Sequence, residues 1–472
     1  MYNFLILGTQ KIHEYEELIK LFLPAEEFNL ATTGMEFNSS TTGDEDSIKA
    51  PVDGPFDAVF QFHGDKNQVK YELYKYLSTK TGMLPPWGII TGIRPVKLTG
   101  ELLSKHGTPR EVSRILLDEY LLSPEKTDLV MEIALHQKRN IPKPGSGQVG
   151  IYIGIPFCPT RCAYCSFTSN QTDEDEMERY LQALLLEIKY VSDKMKAWGW
   201  TAESIYIGGG TPTTLQTAQL QRLYEAVGNS FQGPGIKEYT LEAGRPDTIS
   251  TEKMTQARQA GVTRVSINPQ SMKQETLALI GRNHDVGQVY EAFNIATASG
   301  IQTINADLIA GLPDETLPDF AASLDEVMKL NPQNITVHSL AMKRASRLTE
   351  INRNFHFQQA ATVAEMLAHS ETTLRNAGYL PYYLYRQKQM AGSLENVGYC
   401  KPGTENIYNI RIMEENQTIV ALGAGGISKA YFPDENRLER IPNVSNYEIY
   451  IERMDEMIMR KEKDLFRRFE TC

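Results

Sequence analysis

Three of the chain's five cysteines, Cys158, Cys162 and Cys165, fall within eight positions, spaced C-x3-C-x2-C. An odd number of cysteines in a 472-residue chain is not a disulfide framework. In a reducing compartment such a trio reads as metal binding or catalysis. Three thiolates match three irons of a [4Fe-4S] cubane and leave the fourth iron open to a ligand. Structural zinc is the alternative. It takes four ligands, usually drawn as two pairs, and only Cys400 or Cys472 could supply the fourth.

The cysteines follow an apolar run at 150–155, so they occupy a loop at a strand's C-terminal end, where barrel enzymes assemble their sites. Five more strand-like runs follow at 204–208, 238–243, 263–268, 303–309 and 334–340. Between them, segments such as 177–191 and 287–298 repeat apolar residues at helical spacing, as crossover helices of parallel βα units do. The expected class is α/β, an open or partial barrel. Residues that can bind a ligand recur near the ends of these strands: Gly209, Gly210 and Thr211, then Glu242, Gln270, Arg282 and Asp307. Each also has a plainer reading, as a tight turn or a solvated strand-end charge. An acid inside an otherwise buried strand, as at Asp307, needs a partner.

A pattern-breaking stretch at 141–148 divides the chain. The expected domains are 1–148, an α+β unit with a helix over 112–138; 149–342, the barrel; and 343–472, a smaller α+β unit covering the substrate. That last unit holds a helix at 358–376, a tyrosine-rich strand and a glycine-rich turn at 423–426. With 23% charged and 41% hydrophobic residues the composition is that of a folded soluble protein. A net charge of −11 argues against wholesale binding to nucleic acid or anionic membrane. No segment has the length of a membrane span, and the start is too short an apolar run for a signal peptide, so the expected location is cytoplasmic.

The cysteine loop, with Tyr164 before its last cysteine, resembles the signature of the radical S-adenosylmethionine (SAM) superfamily. Residues 152–429 resemble the oxygen-independent coproporphyrinogen III oxidase branch, HemZ-type proteins included. The matching motifs, in order, are Gly208-Gly209-Gly210-Thr211-Pro212, Glu242, Gln270 after the fourth strand, Gly281-Arg282-Asn283-His284, Asp307 in Asn305–Pro313, and the closing Ala421–Ser428. The resemblance implies a partial (β/α)6 TIM-like barrel with the cluster ligated by Cys158, Cys162 and Cys165. It implies SAM contacts at Tyr152, Tyr164, Gly209, Gly210, Thr211, Glu242, Gln270, Arg282 and Asp307. It further implies a tetrapyrrole substrate and an electron donor of flavodoxin or ferredoxin type.

Two departures bear on substrate rather than cofactor. Gly154 stands where the family's cluster strand usually has histidine, and Ser166-Phe167-Thr168 stands where some oxidases have a further cysteine. The haem-chaperone branch has a C-terminal His-Asn-x-x-Tyr-Trp element; here Glu405-Asn406 takes its place. The expected reaction is oxidative decarboxylation of porphyrinogen propionates to vinyl groups, with haem chaperone and radical haem methyltransferase as alternatives. Arg344, Arg347 and Arg386 are candidate partners for substrate carboxylates, since arginine matches their fork geometry. A solvated basic loop explains them as well. Tyr382, Tyr383 and Tyr385 either flank a flat ring or pack one strand face.

Overall fold

The computed structural model describes residues 1–33, 55–165, 169–341, 359–387 and 391–470. Its chain divides into two compact units. The first comprises Met1–Leu135 and Tyr385–Leu394 with a short segment ending at Ala361; the second runs from His136 through the barrel strands, Thr362–Leu384 and the residues from Glu395 onward.

In the first unit a parallel sheet of order β2-β1-β3 is formed by β1 (Tyr2–Leu7), β2 (Phe28–Thr33) and β3 (Ala58–Gln61). Phe4, Ile6 and Phe60 meet Leu18, Val69 and Leu73 from the helices His13–Ile19 and Lys66–Thr81 in one apolar core. The single helix expected over 112–138 is instead two, Pro109–Asp118 and Pro124–Asn140. Leu121 takes a left-handed conformation (φ 58°) between them. Pro124 opens the second helix at a position where its missing N–H has no partner to lose.

The second unit is built on β4 (Gln148–Ile155), β5 (Thr201–Gly209), β6 (Glu238–Glu242), β7 (Arg264–Gln270), β8 (Thr303–Ala310) and β9 (Asn334–Ser339). These six are parallel and neighbour one another in chain order. The sheet is extended rather than closed. On the β9 side lie β11 (Glu395–Cys400), antiparallel to it, and then β10 (Leu380–Arg386). On the β4 side come β12 (Ile419–Leu422), which is parallel, then β13 (Ile427–Phe432) and β14 (Arg437–Pro442), which are antiparallel. The C-terminal strands thus continue the barrel sheet, and most of the residues after 361 belong to the barrel's unit.

Crossover helices Glu174–Ala197, Thr217–Phe231, Thr251–Gln259, Val286–Ala298 and Leu317–Lys329 return the chain between the parallel strands. Their starts are fixed by side-chain caps: Asp173 and Ser250 accept from backbone N–H groups, and Gln216, Asp285 and Thr316 form reciprocal capping boxes. Along the strands, period-two alternation separates two faces. Ile151, Ile153, Ile205, Ile207, Val265 and Ile267 are wholly buried. The alternate positions, Tyr152, Tyr206, Thr240, Ser266, Asn305 and Thr336, carry polar groups, and register pairs Tyr152 with Tyr206, Tyr206 with Thr240 and Ser266 with Asn305.

Candidate active site

The cysteine loop leaves β4 at Ile155 and is held by backbone hydrogen bonds on both flanks. Gly210 N–H donates to Ile155 O (2.8 Å) and Thr211 N–H to Phe157 O (2.7 Å), while Ala163 N–H donates to Ile280 O (2.9 Å). Cys158 Sγ lies 3.4 Å from Thr211 Oγ1. On the opposite flank Arg245 Nη1 donates to Thr160 Oγ1 (2.8 Å) and lies 3.9 Å from Cys162 Sγ. Burial pushes the Cys158 thiol up to about 11, the charge of the neighbouring cysteines adding to it against Thr211. Among the described residues no three His, Cys, Asp or Glu side chains converge on a single ion. A four-iron cluster takes its three thiolates on separate irons.

The glycine motif ends β5 against this loop. A Cβ on Gly210 would stand 2.5 Å from Phe157 O and 3.0 Å from Cys158 Sγ, and Gly209 has φ +116°, so neither position tolerates a side chain. On Gly208 a Cβ would meet Glu242 Oε2 at 2.6 Å. Glu242 itself accepts from Tyr206 OH (2.5 Å) and Gly209 N–H (3.0 Å). Burial outweighs those two donors and raises its carboxyl to about 7.

Two strands on, Asp307 accepts from Asn305 Nδ2 (2.7 Å) and lies 3.4 Å from His338 Nε2. Burial pushes it up, but His338, with Asn305 and Thr336, overrides that and holds the carboxyl below its ordinary value. Asn305 Nδ2 also donates to Ser266 Oγ (2.7 Å), which donates to Asn268 Oδ1 (2.7 Å), so a polar ladder crosses β7 and β8 on the inner face. Asp307 therefore turns inward rather than to solvent. Arg282, buried, donates to Gly244 O (3.0 Å), Asn268 O (2.5 Å) and Tyr164 OH (3.2 Å), tying the cysteine loop to the ends of β6 and β7. Tyr152 stacks on Tyr206 and Tyr408 inside the barrel, with ring centroids 6.2 Å apart in each case.

Gln270 ends β7 at φ 70°, an uncommon conformation for a residue with a side chain, and its buried Oε1 has no hydrogen-bond partner among the described residues. An orphaned buried carbonyl, glycines that clear space beside the thiols, and a half-buried carboxyl with no cation beside it among the described residues fit a cationic, hydrogen-bonding ligand next to a three-thiolate cluster. Cys158, Cys162 and Cys165 would hold the cluster; Gln270, Glu242 and the Gly209–Thr211 backbone would hold the ligand.

Not every candidate joins this site. Arg344 and Arg347 lie outside the described residues. Arg386 is corrected: it belongs to the first unit, where its guanidinium is buried, donates to Ser393 O (2.7 Å) and Ile90 O, and stacks over Trp87 at 5.1 Å. Carbonyls of its own fold occupy the fork a carboxylate would need. Tyr382 and Tyr383 are buried and packed on each other (4.8 Å), so strand packing accounts for both. Tyr206, Arg245, Asn305 and His338 were missed. Tyr206, Asn305 and His338 share the inner-face period of the strands, which would have revealed them; Arg245 lies beyond β6 and carried no such signal.

This arrangement, a half-open parallel barrel with three thiols at its first strand end, is radical SAM architecture, and residues 152–327 match the Radical SAM superfamily. The chain is 40% identical over 410 residues, 86% of its length and 82% of the relative's, to the oxygen-independent coproporphyrinogen-III oxidase-like protein HemZ of Bacillus subtilis. It is 29% identical over 287 residues to the heme chaperone HemW of Escherichia coli, covering 61% of this chain and 71% of that one. Its fold is shared with the coproporphyrinogen III oxidase HemN of Escherichia coli, at TM-score 0.54 and 23% identity over 69% of this chain and 73% of that one. The chain belongs to the radical SAM superfamily and, within it, to the HemZ-type branch. The superfamily implies a [4Fe-4S] cluster and SAM. No helix among the described residues is long and apolar enough to cross a membrane.

Proposed function

We propose that the protein is an oxygen-independent coproporphyrinogen III oxidase, converting porphyrinogen propionates to vinyl groups. When bound, the cluster and SAM would supply an adenosyl radical able to take hydrogen from the propionate β-carbon, and loss of carbon dioxide with transfer of one electron to an external one-electron acceptor would complete the vinyl group. The chain's own residues orient these groups and exclude water. Glu242, facing no cation among the described residues, accepts the SAM amino group, and Gln270 satisfies its buried carbonyl on the same ligand. Arg344 and Arg347 pair with substrate carboxylates, and a flavodoxin or ferredoxin type protein supplies the electron.

The observation favouring oxidase over chaperone is the environment of Glu405. It stands where the chaperone branch has its histidine, and it accepts from His136 Nε2 at 2.9 Å, while His136 Nδ1 lies 3.1 Å from Asn140 Nδ2. Both ring nitrogens of the nearby imidazole are thus engaged and not free to bind haem iron.

The test is anaerobic reconstitution with reductant, SAM and coproporphyrinogen III, followed by mass spectrometry. Loss of carboxyl mass with formation of 5′-deoxyadenosine is expected, and neutral substitutions at Arg344 and Arg347 should reduce it. Tight haem binding without decarboxylation would instead mark a chaperone. Deoxyadenosine without any change in the porphyrinogen would move the search to another substrate.

A further inference from the structure

Arg245 lies three residues beyond the end of β6, and only 2% of its surface is exposed. Its Nε and Nη2 form a bidentate pair with Asp247, each at 3.1 Å. Nη1 turns the other way, to Thr160 Oγ1 (2.8 Å), Thr160 O (3.3 Å) and Cys162 Sγ (3.9 Å). Thr160 Oγ1 in turn donates to Gly281 O (3.2 Å). The cysteines are not treated alike: Cys162 faces the Arg245 guanidinium and also feels Arg282, whereas beside Cys158 Sγ stands the neutral hydroxyl of Thr211 at 3.4 Å, with Arg245 acting on it at longer range.

Pinning the loop would need no more than a neutral donor. Burying a full guanidinium is costly unless it is paired, and what the charge adds is an electric field at the thiolates, with its direct contact on Cys162. Reducing a [4Fe-4S] cluster adds one negative charge. A buried cation and an N–H···S contact stabilise that reduced state, and hydrogen bonds to the sulfurs, net charge and burial are the means by which proteins set cluster potentials. Asp247 acts in the opposite sense, but from the far side of the guanidinium.

We propose that the Arg245–Asp247 pair sets the reduction potential of the cluster at the Cys162 side, Arg245 raising it and Asp247 tempering the rise. This rests on Cys158, Cys162 and Cys165 holding the cluster. Neither residue touches substrate in this assignment; both act through the cysteine loop.

The test is an EPR-monitored redox titration of the reconstituted full-length protein, with iron and sulfide content measured in parallel. Arg245→Gln is expected to move the midpoint to more negative potential, Arg245→Lys less so, and Asp247→Asn to more positive potential. Damage to a merely structural pair would not produce opposite shifts. Unchanged midpoints, or shifts in one direction, in variants with full clusters would overturn the proposal. Should Arg245→Gln fail to retain iron, Asp247→Asn decides alone: an upward shift supports the assignment, and none overturns it. A wild-type chain that takes up no four-iron cluster would instead overturn the cluster assignment itself.

Discussion

Glu242 on β6 and Asp307 on β8 are both half-buried on the inner face of the same partial barrel, yet desolvation leaves them in opposite states. Glu242 meets a phenol and one backbone N–H, and its carboxyl rises to about 7. Asp307 meets His338 as well as Asn305, and its carboxyl falls below the ordinary value. The low dielectric is common to both; an imidazole beside the carboxyl decides the sign. Asp307 is already paired by the fold, whereas Glu242 is set to receive a cation from outside it.

The sharpest way to break this comparison is Glu242→Gln. Because the folded value lies above 4.5, the favourable contribution of Glu242 is complete below about pH 4.5 and is lost as pH rises through about 7. A rise from 4.5 to about 7 corresponds to about 3 kcal/mol at higher pH. The cluster-free variant should therefore resist urea better than the wild type at pH 8, with the advantage vanishing near pH 4.5. Its affinity for SAM should fall ~10–100-fold, the loss of a charge-assisted hydrogen bond. Calorimetry in two buffers should show wild-type SAM binding releasing a proton near pH 7 and the variant releasing none.

Asp307→Asn should do the reverse. A depressed carboxyl contributes stability that is present above its ordinary value of 3.8 and lost as pH falls through the folded value. The variant should be less stable at pH 7 by ~1–2 kcal/mol, with the gap closing in acid. His338→Gln should destabilise in the same direction by removing the imidazole 3.4 Å from Asp307. Equal behaviour of the Asp307 and Glu242 variants across pH would end the distinction. Tyr206→Phe gives the smallest change: with one donor gone, Glu242 should titrate higher still, at a cost of ~1 kcal/mol in SAM binding.

The parallel strands were legible because short runs rich in β-formers alternate with amphipathic helical segments, and all six runs are strands. The break at Leu121 was not. The residues around it keep an apolar pattern compatible with helix, and the turn depends on a close approach to Gly88, where a Cβ would meet Tyr120 O at 2.0 Å. Arg386 shows the same limit for side chains. Next to a tyrosine-rich strand it looks like a carboxylate partner, but Ile90 and Trp87, distant in sequence, take up its guanidinium together with Ser393.

What the sequence by itself determined is local: a thiol spacing that suits a three-ligand cluster, strand lengths, caps, and glycines where no Cβ can stand. These depend on a few neighbouring residues, whose sterics and valence act over a turn or a strand. The tertiary structure alone decided which charges meet. It gave Asp307 a histidine and Glu242 none among the described residues, and it brought Arg245 to Cys162 across 83 positions. Electrostatics in a buried site depend on distance in space and on what water has been removed, and neither quantity is written in the order of residues.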